Sequence, residues 1–322
     1  MMHIEFLKAG TGDSIWISQN KKNIVIDGGK SAAAVKERYL QMPQDESIDL
    51  LIVTHIDTDH IAGIIALVKM MKTKDELHRL KQVWFNFPKK KANGEYSVTE
   101  GNELSSLFCE IAELSWNNNT SELIGNPISI GEMRIHVLAP NHDVAYEYLP
   151  KRPEELSMEY ADWDVELKTL IENVDDDDLA EGGPNSQSIV IIVESEGKKL
   201  LLPGDCTPQE LNDALCAYNS KEGKPVKIDL MKLPHHGSRR NLTKSILEEI
   251  ECSNFMISTN VNKKYCFPHK ETIAKLICYK NEANNFININ FNYKETLDVL
   301  CITEKEQSDN RVVTKFNHDF YL

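Results

Sequence analysis

The stretch that most constrains this chain is "IDLLIVTHIDTDHIAG", residues 48–63, which runs a compact apolar segment straight into a turn holding His55, Asp57, Asp59 and His60. The segment IDLLIVTH has the length and β-branching of a buried strand, and it ends at His55. In extended chain, alternate positions 55, 57 and 59 can face one way. His60 follows where a helix is predicted to begin, ahead of AGIIALVKMMKTK. Imidazole and carboxylate suit zinc, manganese or iron. A lone acidic turn is common and means little, but an H-x-D-x-D-H array after a buried strand is not common.

Four ligands do not make a catalytic site, so further ones are expected from elsewhere. "LLLPGD" places Asp205 just beyond a second apolar strand, and "LMKLPHHGS" places His235 and His236 just beyond a third. Loops at one edge of a sheet can converge on a single site. His136, in "MRIHVLAP", is an alternative ligand but reads better as a core or edge-strand histidine.

Strands and helices alternate along both halves. MHIEFL, SIWIS, KNIVIDGG, QVWFNF and MRIHVLAP read as strands, with helices in SAAAVKERYLQM and GNELSSLFCEIAELSW. Later, SIVIIVES, KKLLLPGD, VKIDLMKLPHH and NFMIST read as strands, LTKSILEEI and KETIAKLICYKNE as helices, and FININF, TLDVLCIT and RVVTKF as closing strands. Residues 141–184 differ, being rich in Glu, Asp, Tyr and Pro with "DDDD" at 175–178. They are expected to form an insertion, partly helical at most, with a flexible acidic end. Two sheets covered outside by helices would use all these elements, an α/β (α+β) architecture.

The net charge of −14 argues against broad, sequence-independent phosphate binding, which usually leaves a basic footprint. No stretch approaches the roughly 18 apolar residues needed to span a bilayer, so no membrane partner is expected. "MMHIEFLKAGTGDS" lacks the charged start and apolar stretch of a signal peptide. The seven cysteines are odd in number and widely spaced, with no C-x-x-C, which reads as reduced thiols in a cytoplasmic protein.

In this order, "THIDTDHIAG", "LLPGD" and "PHHGS" resemble the metallo-β-lactamase superfamily, and more nearly the metallohydrolase (nuclease) domain of ComEC-type DNA-uptake proteins. "GTGDS" at 10–14, "VIDGG" at 25–29, "NSQSIVI" at 185–191 and "YCFPHKETI" at 265–273 fit the same group. The resemblance implies a four-layered αββα sandwich over residues 1–280, with 141–184 as an acidic insertion and 281–322 as strands completing or extending the same domain. It implies two divalent metal ions between the sheets, zinc or manganese. His55 and Asp57 would hold one ion and Asp59 and His60 the other, with Asp205 bridging. A histidine of the pair would complete the second site. His235, nearest the strand end, is favoured for it, with His236 supporting a ligand or contacting substrate.

Two positions depart from the family pattern. Asp57 stands where the family has the middle histidine, and Asn185 or Ser188 stands in place of a third. Both changes swap nitrogen for oxygen, which favours harder ions such as manganese or magnesium at that position. Asp13 and Asp27 are expected to brace the site by hydrogen bonds, as Ser188 would if it is not itself a ligand.

The chemistry expected is hydrolysis of a phosphodiester, with Asp59 orienting the hydroxide. His236, His269, Arg239 and Arg240 are candidates to assist the leaving group. A nucleic acid, DNA or RNA, is the leading substrate. The alternatives are a small-molecule hydrolase of the same fold, acting on a phosphocholine-type or cyclic-nucleotide ester, a lactone or a thioester, and a non-catalytic metal-binding interaction module. A free-standing nuclease needs restraint, so a regulatory protein partner is expected, for instance in antiviral defence. The oligomeric state is not legible.

Overall fold

The computed structural model describes residues 1–87, 96–141, 161–222, 225–280 and 286–322. Within them, buried apolar side chains fall into three separate clusters. Three apolar interfaces make four layers.

The middle cluster lies between two sheets. It takes Ile24, Ile26, Leu50 and Ile52 from one and Ile191, Val193, Leu200 and Leu202 from the other. The alternate residues Val25, Leu51 and Val53 point the opposite way, onto the helices Ala33–Gln41, Thr58–Thr73 and Tyr96–Cys109. In the second sheet, Ile192, Leu201 and Met231 likewise face Pro208–Glu222, Lys244–Glu248 and Lys270–Lys280. A strand covered on both faces must be apolar at successive positions, which is why "LLIV" shows no alternation. The arrangement is an αββα sandwich.

Among the described residues the first sheet runs Asp319–Tyr321, His3–Phe6, Ile15–Gln19, Lys22–Ile26, Ser47–Val53, Gln82–Phe85, Ser115–Asn117. The second runs Val312–Phe316, Ile287–Phe291, Asn254–Ile257, Leu230–Lys232, Lys198–Leu202, Val190–Ser195, Met133–Ala139, Ile128–Ile130. Two parallel pairings position the site. Ile26 pairs with Ile52, so Asp27 and His55 leave neighbouring strands at one edge. Leu201 pairs with Met231, which does the same for Asp205 and the histidine pair.

Glycines let the loops approach this edge. A Cβ on Gly12 would lie 1.5 Å from the Asp59 carbonyl oxygen, and one on Gly63 would lie 1.8 Å from that of Gly28. The loops GTGDS and IDGG therefore pack directly on the first turns of Thr58–Thr73.

Several sequence expectations are corrected. The helix after the H-x-D-x-D-H turn begins at Thr58, so Asp59 and His60 lie in its first turn. The segment GNELSSLFCEIAELSW is helical only to Cys109 and pairs as a strand from Ser115. TLDVLCIT is not a strand: Lys294–Val299 is helical and is followed by the helix Glu304–Asn310. The reason is topological, because Ile287–Phe291 and Val312–Phe316 pair in parallel and parallel neighbours need a crossover. Of the insertion, residues 142–160 lie outside the described residues, while Leu167–Glu172 is helical. Its acidic end is not free: Asp178 pairs with Arg239 at 3.2 Å and Arg240 at 3.0 Å, and Asp176 with Lys275 at 3.0 Å. Arg239 and Arg240 are thus engaged by carboxylates while staying about a third exposed.

Candidate metal centre

The centre is built around one carboxylate. Asp205 follows the strand Lys198–Leu202 through Gly204, which has φ +57°. Its Oδ2 faces four imidazoles: His60 Nε2 and His236 Nε2 at 3.2 Å, His235 Nε2 at 3.8 Å and His55 Nε2 at 3.9 Å. Asp59 completes one side, with Oδ2 3.7 Å from His236 Nε2.

His235 and His236 both adopt left-handed backbone, at φ 45° and 58°. Two such residues in succession are strained for side chains and persist only where the surroundings hold them. The resulting turn carries His236, and not the favoured His235, into the position beside His60 and Asp59. His236 is 2% exposed, and its Nε2 lies 3.3 Å from His60 Nε2. The His235 side chain keeps 24% exposure, and its Nδ1 pairs with Asn241 at 3.1 Å.

The imidazoles are oriented from behind. Asp27 Oδ2 meets His60 Nδ1 at 2.7 Å and accepts the Thr54 hydroxyl at 2.6 Å, while Oδ1 accepts the Thr54 N–H at 2.8 Å. With its proton committed to Asp27, the Thr54 oxygen 3.0 Å from His55 Nδ1 must accept there. One carboxylate thereby leaves both Nε2 atoms facing Asp205, one directly and one through a hydroxyl. Asp13 lies behind the third ring, with Oδ1 3.7 Å from His236 Nδ1, which hydrogen-bonds the Ser258 carbonyl at 3.2 Å. Ser188 Oγ accepts the Asp205 N–H at 3.3 Å and lies 3.5 Å from His55 Nδ1.

Protonation follows this wiring. Burial works against charge on His60, but Asp205 and Asp27 override it and hold its pKa well above the usual value. Burial likewise opposes charge on His236, yet Asp205 and Asp13 raise it to about 9. Burial pushes His55 and His235 down, so these rings are neutral. Burial disfavours ionised Asp205, but His236, His60, His235 and Lys232 together hold its carboxyl well below the usual range. The same opposition lowers Asp59, through His60 and His236.

This donor set fits a divalent ion. Asp13, His60, Asp205 and His236 each place one ligand-type atom within 4.8 Å of the others. The contacts linking Asp59, His60, Asp205 and His236 run from 3.2 to 3.7 Å. A tetrahedral ion with bonds of about 2.0–2.1 Å requires ligand spacings of about 3.3 Å. His55 Nε2 and Asn185 Oδ1 are buried without a hydrogen-bond partner. An unsatisfied buried polar atom costs about 1–3 kcal/mol, a cost that an ion at that position would remove.

Asp57 occupies the N-cap of Thr58–Thr73 without a capping bond from its side chain. His269 is 1% exposed, and its Nδ1 accepts the Arg239 N–H at 3.3 Å. The Phe267 ring lies 4.9 Å from His235 and 5.3 Å from His269. His136 pairs with Glu194 at 3.1 Å in the second sheet, away from this cluster.

Two participants were missed from sequence. Thr54 carries the hydroxyl between Asp27 and His55. Lys232, fully buried, pairs with Asp13, lies 3.5 Å from Asp205 Oδ1 and donates to the Gly204 carbonyl at 3.1 Å. The available signal was a lysine inside the otherwise apolar LMKL, where a charge needs a partner.

A sequence model of the metallo-beta-lactamase superfamily matches residues 7–258. The chain is 20% identical to the ComE operon protein 3 of Bacillus subtilis over 292 residues, 85% of this chain and 30% of that protein. It is 29% identical to the Recombination protein 2 of Haemophilus influenzae over 101 residues, 31% of this chain and 12% of that protein. The chain thus spans under a third of the length of these relatives. Among solved structures, the metallo-beta-lactamase fold protein YhfI of Bacillus subtilis aligns over 99% of this chain and 98% of its own, with a TM-score of 0.48 and 11% identity.

Proposed function

This chain belongs to the metallo-β-lactamase superfamily, and on that footing we propose that it is a metal-dependent phosphodiesterase that cleaves DNA or RNA with two divalent ions. The observation that carries this reading is Asp205 Oδ2, within 3.9 Å of four imidazole nitrogens from both sheets. One carboxylate oxygen facing imidazoles contributed by both sheets is the arrangement a bridging residue needs. Asp59, His60 and His236 would hold one ion. His55, Asp57 and Asn185 would hold the other, zinc or manganese, with magnesium admissible at the oxygen-rich position.

Bound divalent ions supply Lewis acidity that lowers the pKa of water and offsets charge developing on a phosphoryl oxygen. The chain's own groups do the rest. Asp59, at the mouth with 30% of its side chain exposed, orients the attacking water and accepts its proton. Asp27 and Asp13 hold the imidazoles so that none turns during the reaction. His269 accepts the Arg239 N–H at Nδ1, which leaves the ring proton to Nε2, where it can serve the departing alkoxide. Similarity to a comE operon protein and to a recombination protein favours a nucleic-acid substrate.

A second reading, a small phosphodiester as substrate, is favoured by the net charge of −14, which repels a polyanion. The deciding experiment incubates metal-stripped protein with linear DNA, circular DNA and RNA plus manganese, zinc or magnesium, beside Asp59→Ala. Cleavage by wild type and not by the variant is the expected result. Hydrolysis of bis-p-nitrophenyl phosphate without nucleic-acid cleavage transfers the assignment to the small ester. Inactivity on all of them, with every ion, refutes the phosphodiesterase reading.

A further inference from the structure

We propose that Lys232 is a positioning residue for the metal centre: an internal cation that holds Asp205 by Oδ1 and Asp13 by its carboxylate, so that Oδ2 alone of Asp205 is presented to the ions. This rests on the metal-centre reading above and assigns a role to a residue outside the ligand set.

Three observations carry it. Lys232 is fully buried at the end of the strand Leu230–Lys232, where an ammonium is tolerated only with close partners. Its side-chain partners among the described residues are the Asp13 carboxylate, Asp205 Oδ1 at 3.5 Å and the Gly204 carbonyl at 3.1 Å, which all bear on the centre. The buried lysines Lys270 and Lys275 instead bond away from the centre, Lys270 to the Val165 carbonyl and to Glu306 at 4.0 Å, and Lys275 to Asp176 at 3.0 Å and to the Arg239 and Leu242 carbonyls.

Second, the two aspartates come from different sheets. Asp13 lies two residues before Ile15–Gln19 of the first, and Asp205 follows Lys198–Leu202 of the second. The side chains around the centre divide in the same way, with His55, Asp59 and His60 on the first sheet's side and Asp205, His235 and His236 on the second's. Lys232 therefore clamps the sheets at the level of the centre and sets the distance between its halves.

Third, the division of labour on Asp205 is visible. Oδ1 faces Lys232, and Oδ2 faces the four imidazoles. Without the lysine, Asp205 could rotate to offer both oxygens, one to each ion, and the spacing would change. The charge count points the same way. Five aspartates, at 13, 27, 57, 59 and 205, crowd the centre, and two divalent ions plus one ammonium match them.

The test compares metal-stripped wild type, Lys232→Met, the double variant Asp13→Asn with Lys232→Met, and Lys275→Met. Each is titrated with zinc and with cobalt(II), reading ions bound per chain, dissociation constants and the visible cobalt spectrum. The wild-type titration tests the metal reading itself: if wild type takes up no ion, that reading fails regardless of Lys232. With uptake by wild type, binding weaker by about tenfold or more and an altered cobalt spectrum are expected in both Lys232 variants. Lys275→Met should keep wild-type affinity and spectrum. Wild-type affinity and spectrum in either folded Lys232 variant overturns the proposal. If neither variant folds, the side-chain ¹⁵Nζ resonance of Lys232 in wild type decides. An ammonium protected from exchange before and after metal loading supports the clamp, and loss of that protection on loading overturns it.

Discussion

Replacing Asp27 with Asn should damage the centre without touching a ligand. Asp27 accepts three hydrogen bonds: the Thr54 N–H at 2.8 Å on Oδ1, and the Thr54 hydroxyl at 2.6 Å and His60 Nδ1 at 2.7 Å, both on Oδ2. An amide offers one acceptor oxygen. If that oxygen takes the Oδ2 position, the amide NH₂ confronts the Thr54 N–H. If the NH₂ takes it, it confronts His60 Nδ1–H and turns the Thr54 hydroxyl round. The hydroxyl proton then points at His55 Nδ1, and His55 moves its own proton to Nε2, facing Asp205. Either orientation leaves a buried donor unsatisfied, which costs about 1–3 kcal/mol. That corresponds to a fall of roughly 1.5 °C in Tm per kcal/mol for a chain of this size. Zinc affinity should drop about 10–100-fold, the effect of losing a carboxylate behind a ligating histidine. The assay is competition against a chelating indicator, with thermal melting of the metal-free protein alongside. A folded Asp27→Asn that binds zinc within about twofold of wild type would refute the wiring through Thr54.

The histidine pair should separate in a metal count. His236→Ala, losing a nitrogen 3.2 Å from Asp205 Oδ2, should remove one ion per chain by elemental analysis, whereas His235→Ala should weaken binding less; the reverse order would make His235 the ligand. The metal-free protein should also show a signed pH dependence. His236 is raised from 6.5 to about 9 and His60 is raised as well, so their stabilisation is complete below about 6.5 and is lost as pH climbs through about 9. Asp59 and Asp205 are lowered from 3.8, so theirs is present above that value and is lost as pH falls through their depressed pKa values. Melting temperatures should therefore be highest between about pH 4 and 6.5 and decline toward pH 9. Over that upper range ion binding should release protons and tighten. A metal-free Tm that rises from pH 6.5 to 9 contradicts this.

Local chain chemistry was enough for a good part of this protein. An apolar run with no alternation announced a strand covered on both faces, and its termination at His55 announced metal-type side chains at a sheet edge. The same context at Asp205 and at His235 and His236 located the rest of the cluster, and the motif order pointed to the αββα sandwich. What lay beyond it depends on contacts between distant parts of the chain. His60 and Asp205 meet across 145 residues, and TLDVLCIT becomes helical only because its flanking strands pair in parallel. That His236, and not His235, lies beside His60 and Asp59 rests on two left-handed backbone residues held by their surroundings. The acidic run 175–178 looked like a solvated tail because its partners, Arg239, Arg240 and Lys275, lie more than 60 residues on. The partners of Lys232 were unreadable for the same reason. A buried charge is tolerable only where partners enclose it, and Asp13 and Asp205 reach it from opposite sheets, a proximity that no local pattern encodes.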